Sequence, residues 1–133
     1  MNTLKDFMID QLNELHNAEE QFTKLIKKIA DRSSNPELKA LFEYMSQIPH
    51  PHSLKLNRVS SLLNINRNKS RLSRIMLAIR ADTEDFIETT YNSNTRDAGF
   101  IAIVQKAKHY QIALFGTLRE YAYELHNREV ADL

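Results

Sequence analysis

Apolar residues recur along the chain at alternating spacings of three and four, the pattern of helices that bury one face. From about Thr3 to Asp31 the stripe is Leu4, Met8, Leu12, Leu15, Phe22, Ile26 and Ile29. Thr3, followed three residues later by Asp6, has the form of a capping box. Ser33-Ser34-Asn35-Pro36 interrupts the pattern; Asn35 suits an N-cap and Pro36 the first helical position. A second segment, Pro36 to about Leu63, carries Leu38, Leu41, Met45, Ile48, Leu56, Val59 and Leu63. Pro49 and Pro51 lie inside it and predict a kink or a break, because each lacks an amide donor and its ring clashes with the preceding turn. The polar stretch Asn64 to Lys69 reads as a loop. A third, shorter segment from about Ser70 to Thr90 shows Leu72, Ile75, Ile79 and Phe86. After a loop at Tyr91 to Asn94, Asn94 and Asp97 predict the cap and box of a fourth segment. It ends near Asn127 and carries Ile101, Val104, Phe115, Leu118, Ala122 and Leu125.

Composition narrows this picture. Only 2 glycines and 3 prolines occur in 133 residues, too few turn formers for an all-β chain. The expectation is therefore an all-α, antiparallel helical bundle forming one domain over residues 1–133, with the short third segment as a crossover. The absence of cysteine excludes disulfides, thiolate metal sites and cysteine nucleophiles. Lys and Arg number 18 against 17 Asp and Glu, which gives no bulk attraction for nucleic acid or an anionic membrane. Arg67, Lys69, Arg71, Arg74 and Arg80 are balanced by Asp82, Glu84, Asp85 and Glu88 and read as a solvated face. No apolar run reaches the roughly 18 residues of a membrane span. The opening residues lack the basic-then-apolar order of a signal peptide, so a cytoplasmic location is expected. No nucleophile elbow, phosphate loop or dinucleotide fingerprint is present. His16, His109 and His126 have no evident Ser or Cys partner in the sequence, so hydrolytic catalysis is not expected. Tyr44, Tyr110, Tyr121 and Tyr123 read as core or interface residues.

The chemistry lies in what interrupts the stripes. Glu19 falls between Leu15 and Phe22, His52 between Ile48 and Leu56, Asp82 between Ile79 and Phe86, and Lys108 and Gln111 between Val104 and Phe115. Each predicted helix thus turns at least one polar side chain toward the expected core, where an unpaired charge is costly. Carboxylates and imidazole on facing helices are ligands suited to iron or manganese. The di-iron pattern Glu-x-x-His is absent, however: Asn13, Gln47, Pro49, Lys106 and Tyr123 stand three residues before the five histidines.

Seven short runs stand out: Leu4-Lys5-Asp6-Phe7, Asn17-Ala18-Glu19-Glu20-Gln21, Asn35-Pro36-Glu37-Leu38-Lys39, Arg96-Asp97-Ala98-Gly99, Gln105-Lys106, His109-Tyr110 and Gly116-Thr117-Leu118. Together they resemble the YciE/YciF-like family of bacterial ferritin-like proteins. The resemblance implies a ferritin-like bundle, a dimer, a link to stress responses and a dinuclear metal site related to that of rubrerythrin. It implies a first-helix metal carboxylate at Glu19, a ligand position at His52, and Asp82 where the family usually has Glu. Ile48, Lys108 and Gln111 stand where members usually have Glu, and the family's final helix is missing before Leu133. The expectation is therefore a partly lost metal site at Glu19, His52 and Asp82. In its place stands an ionic cluster of Glu19, Asp82, Lys108 and Gln111, in a non-enzymatic protein acting through self-association or partner binding. The alternative is a metal-binding oxidase, di-iron or mononuclear, or an iron-handling protein, using Glu19, His52 and Asp82 and completing its site with a second subunit. Iron, manganese and no metal stay open.

Overall fold

The computed structural model describes residues 3–47, 51–63 and 71–125. Among the described residues five helices follow in order: α1 (Leu4–Arg32), α2 (Pro36–Gln47), α3 (Pro51–Leu62), α4 (Arg74–Thr89) and α5 (Ser93–Glu124). The chain is all-α. The expected second segment is two helices, α2 ending at Gln47 and α3 opening on Pro51, at the position where a missing amide donor does least harm.

Side chains set the helix ends. Thr3 Oγ1 accepts a hydrogen bond from Asp6 N at 3.0 Å, so the α1 cap forms as expected. Asn35 Oδ1 accepts from Leu38 N at 3.0 Å and starts α2 at Pro36. The cap of α5 differs from expectation: Asn92 Oδ1 accepts from Thr95 N at 2.9 Å, so the cap stands two residues before Asn94 and α5 begins at Ser93. Without a glycine to end it, α1 closes through Ser33, whose Oγ donates to Ile29 O at 2.7 Å.

Two compact units divide the chain. The first comprises residues 1–19, 49–73 and 110–133. Its core joins Met8, Leu12 and Leu15 of α1 to Val59 of α3 and Leu114, Leu118 and Ala122 of α5. Within it α1 and α5 run antiparallel: Phe7 meets Tyr121 at 5.8 Å between ring centroids, while Glu14, seven residues further along, meets Tyr110.

The second unit comprises residues 20–48 and 74–109. Phe22, Leu25, Ile26, Ile29, Phe42, Met76, Phe100, Val104 and Ala107 are buried there. Helices α4 and α5 approach so closely at Gly99 that an added Cβ would stand 2.1 Å from Phe86 Cζ; only a hydrogen fits beneath that ring. Phe86 then packs edge-on against Phe100 at 5.9 Å.

The buried face of α4 carries Met76, Thr83 and Ile87, whereas Leu72 and Ile75 are exposed. The expected stripe was one residue out of phase. Thr83 can be buried because its Oγ1 donates to Ile79 O at 2.7 Å, so the hydroxyl keeps a partner away from water. In α5 the buried positions include Asp97, Phe100, Val104, Ala107, Gln111, Leu114, Leu118 and Ala122, and Ile101 and Leu125 face out.

Candidate functional site

Glu19 and Gln111 meet inside the first unit. Glu19 is 5% exposed and Gln111 3%. Gln111 Nε2 donates to Glu19 Oε1 at 3.0 Å, a charge-assisted bond between α1 and α5.

Asp82 corrects the sequence reading. It is exposed on α4, because Thr83 and not Asp82 occupies the inward position. A solvated carboxylate needs no buried partner. Lys108, in the second unit, is half-buried and holds its ammonium 4.5 Å from the centroid of the Phe22 ring, a cation–π contact that seats the charge on an apolar surface. Position 52 lies within α3, but the His52 side chain, like Ile48, His50 and the stretch Asn64 to Ser70, lies outside the described residues.

A larger polar network lies in the first unit. Glu14, on α1, is 7% exposed and uses both carboxylate oxygens. Oε1 pairs with Arg71 Nη1. Oε2 accepts from the Tyr110 hydroxyl at 2.5 Å. Arg71 also reaches Asp10 Oδ2 at 3.2 Å. Since Tyr110 spends its proton on Glu14, Ser73 Oγ, 2.6 Å away, donates to the phenolic oxygen. Ser73 is itself fully buried, with its amide donating to Asn17 Oδ1 at 2.7 Å. Burial and the bond to Glu14 together push the Tyr110 phenol well above its ordinary range.

The sequence held a signal for this network. Asp10, Glu14, Asn17 and Gln21 are spaced four, three and four, a polar stripe beside the apolar one. The partners Arg71, Ser73 and Tyr110 lie more than 50 residues away in the chain, and no local pattern couples them to α1.

His16 also finds an unexpected partner. Its Nε2 lies 3.0 Å from Ser60 Oγ, so the reading that it lacks a serine is corrected. The pair does not make a nucleophilic site: Ser60 lies inside α3, where its amide belongs to the helical ladder and is not free to hold an oxyanion.

The family model described as Domain of unknown function (DUF892) matches residues 3–133. The chain belongs to this family. The Escherichia coli (strain K12) protein YciF is 33% identical over 136 residues, covering all of this chain and 80% of YciF. The crystal structure of YciF, a stress protein of E. coli, is 31% identical and covers 99% of this chain and 83% of its own, with a TM-score of 0.90. The structure of YcfI from Rhodopseudomonas palustris shares the fold, with a TM-score of 0.91 at 21% identity, covering 98% of this chain and 83% of its own.

The dinuclear metal centre expected from the family resemblance would have to draw on these side chains. Glu19 faces an amide donor, and Glu14 is occupied by a guanidinium and a phenol. Among the described residues, no three His, Cys, Asp or Glu side chains gather as a metal ion requires. Those residues do not fit a dinuclear centre. Among them, too, no helix is long and apolar enough to cross a membrane.

Proposed function

We propose that the chain is a stress-associated DUF892 protein that acts through self-association or partner binding, with a degenerate metal site at Glu19. The likeness to YciF supports the stress association. The observation that carries the rest is the bond from Gln111 to Glu19. Where the family usually has a second carboxylate, this chain has an amide whose hydrogens point at the first. A dication at Glu19 would require that amide to flip and the buried bond to be given up. Apolar side chains left exposed in the second unit, Leu41, Tyr44 and Ile101, are the surface that association would cover.

The test is calorimetric titration of the untagged chain with Fe(II) and with Mn(II), alongside Glu19→Ala. The expected result is no saturable binding at near-stoichiometric protein, and the same trace for the variant. One or two equivalents bound by the wild type and lost in Glu19→Ala would overturn the reading in favour of metal handling. Light scattering on the same samples is expected to give a mass above the monomer.

A further inference from the structure

We propose that Tyr110 is a one-electron redox centre whose phenolic proton passes to Glu14 when a small outer-sphere oxidant removes the electron. Three features of the first unit carry this.

The first is a proton acceptor in place. A phenol gives up an electron far more readily when its proton leaves at the same moment, because the bare radical cation is a very strong acid. Tyr110 points its only proton at Glu14 Oε2, 2.5 Å away, within the reach required of a general base. The second feature fixes that acceptor. Arg71 occupies the other oxygen of Glu14, so Oε2 is held toward the phenol and no rotation of the carboxylate is needed. The third is local charge. Asp10 and Glu14 carry two negative charges against the single positive charge of Arg71, a net of −1 around a half-buried ring. After oxidation Glu14 is neutral and the group sums to zero, so removing the electron discharges the site instead of charging it. Ser73 Oγ, at 2.6 Å, then donates to the phenoxyl oxygen and stabilises the product.

The step balances. The oxidant gains one electron, the Tyr110 O–H bond breaks, a Glu14 O–H bond forms, and a neutral phenoxyl radical remains. A one-electron reductant reverses all of it, with the proton returning over the same hydrogen bond.

The test uses the full chain with Tyr44, Tyr91, Tyr121 and Tyr123 changed to Phe, leaving Tyr110 as its sole tyrosine. Flash-quench oxidation with ruthenium tris-bipyridine generates the oxidant, and the phenoxyl absorbance gives the rate. The expected rate is independent of the concentration of buffer base and is slower in deuterated water. In Glu14→Gln, whose amide is not a base, the rate falls by about 100-fold or more and becomes dependent on buffer base. A rate in the parent protein that rises with buffer base, or an unchanged rate in Glu14→Gln, would overturn the proposal. If Glu14→Gln fails to fold by circular dichroism, the buffer dependence of the parent decides alone, since a merely structural hydrogen bond would leave water to take the proton.

Discussion

The two units handle buried carboxylates in opposite ways. In the first, Glu14 and Glu19 are met by side chains: a guanidinium, a phenol and an amide supplied from distant parts of the chain. In the second, Asp97 is met by backbone. Its Oδ1 accepts from Ser34 N at 2.9 Å and its Oδ2 from Asn35 N at 2.8 Å, which joins the α1–α2 turn to α5. Buried hydroxyls of that unit, Ser33 and Thr83, turn back on carbonyls of their own helices. Backbone partners are fixed by the fold and cannot be changed by substitution. Side-chain partners can be exchanged, protonated or oxidised one at a time. The first arrangement leaves room for chemistry, and the second only holds the chain in place.

The largest test of this contrast is truncation of Glu14. Glu14→Ala takes the acceptor from the Tyr110 hydroxyl, leaving it Ser73, and leaves Arg71 with Asp10, and urea denaturation is expected to show a loss of about 2–3 kcal/mol, below that of a fully buried pair because Arg71 is partly solvated. Adding Tyr110→Phe to the variant should recover part of that loss, since removing both partners is milder than removing one. Full additivity of the two changes would break the picture of a coupled network. Asp97→Ala comes next, at about 2 kcal/mol for two amides left without acceptors. No second substitution elsewhere should rescue it, because its partners are backbone.

A smaller effect concerns alkaline pH. The folded state holds the Tyr110 proton above the ordinary phenol range. As pH rises past about 10 the unfolded chain releases that proton while the native protein keeps it. The unfolded state then binds fewer protons, so stability is complete below the ordinary value and declines above it. Thermal melts between pH 8 and 11 should show this decline, flattened in Tyr110→Phe.

The smallest effect belongs to the second unit. Lys28 pairs with Glu84 at 2.9 Å on the surface, and its ammonium lowers the Glu84 carboxyl. That contribution is present at neutral pH and is lost as pH falls through the lowered value. Lys28→Ala should leave stability almost unchanged, because both partners of the pair are solvated. A larger change by denaturant titration would mean that the second unit also relies on ionic side-chain pairs.

Much of the architecture was legible in the sequence because it rests on local rules. The apolar stripe of α1, the caps at Thr3 and Asn35 and the break at the paired prolines each depend on residues within a few positions of one another. The phase of α4 was misread because burial of Met76 and Thr83 is decided by what packs above them and by a bond to Ile79. Asp82 was drawn into the candidate site by that slip. Gln111 sits on the buried face of α5, facing Glu19. Glu14 escaped notice because its partners are 57 and 96 residues away, and their meeting is a product of tertiary folding.

That separation has a consequence during synthesis. Helix α1 emerges from the ribosome with Glu14 already in place, but Tyr110 follows 96 residues later, which at roughly 5–20 residues per second is on the order of 5–20 seconds. Arg71 follows Glu14 by 57 residues, but through the whole interval the nascent chain carries an apolar stripe that α5 has not yet covered. Neither unit is contiguous in sequence, so neither can close before α5 begins to appear. The molecule is therefore expected to fold after most of it has been made, with the time spent waiting set by translation and not by helix formation.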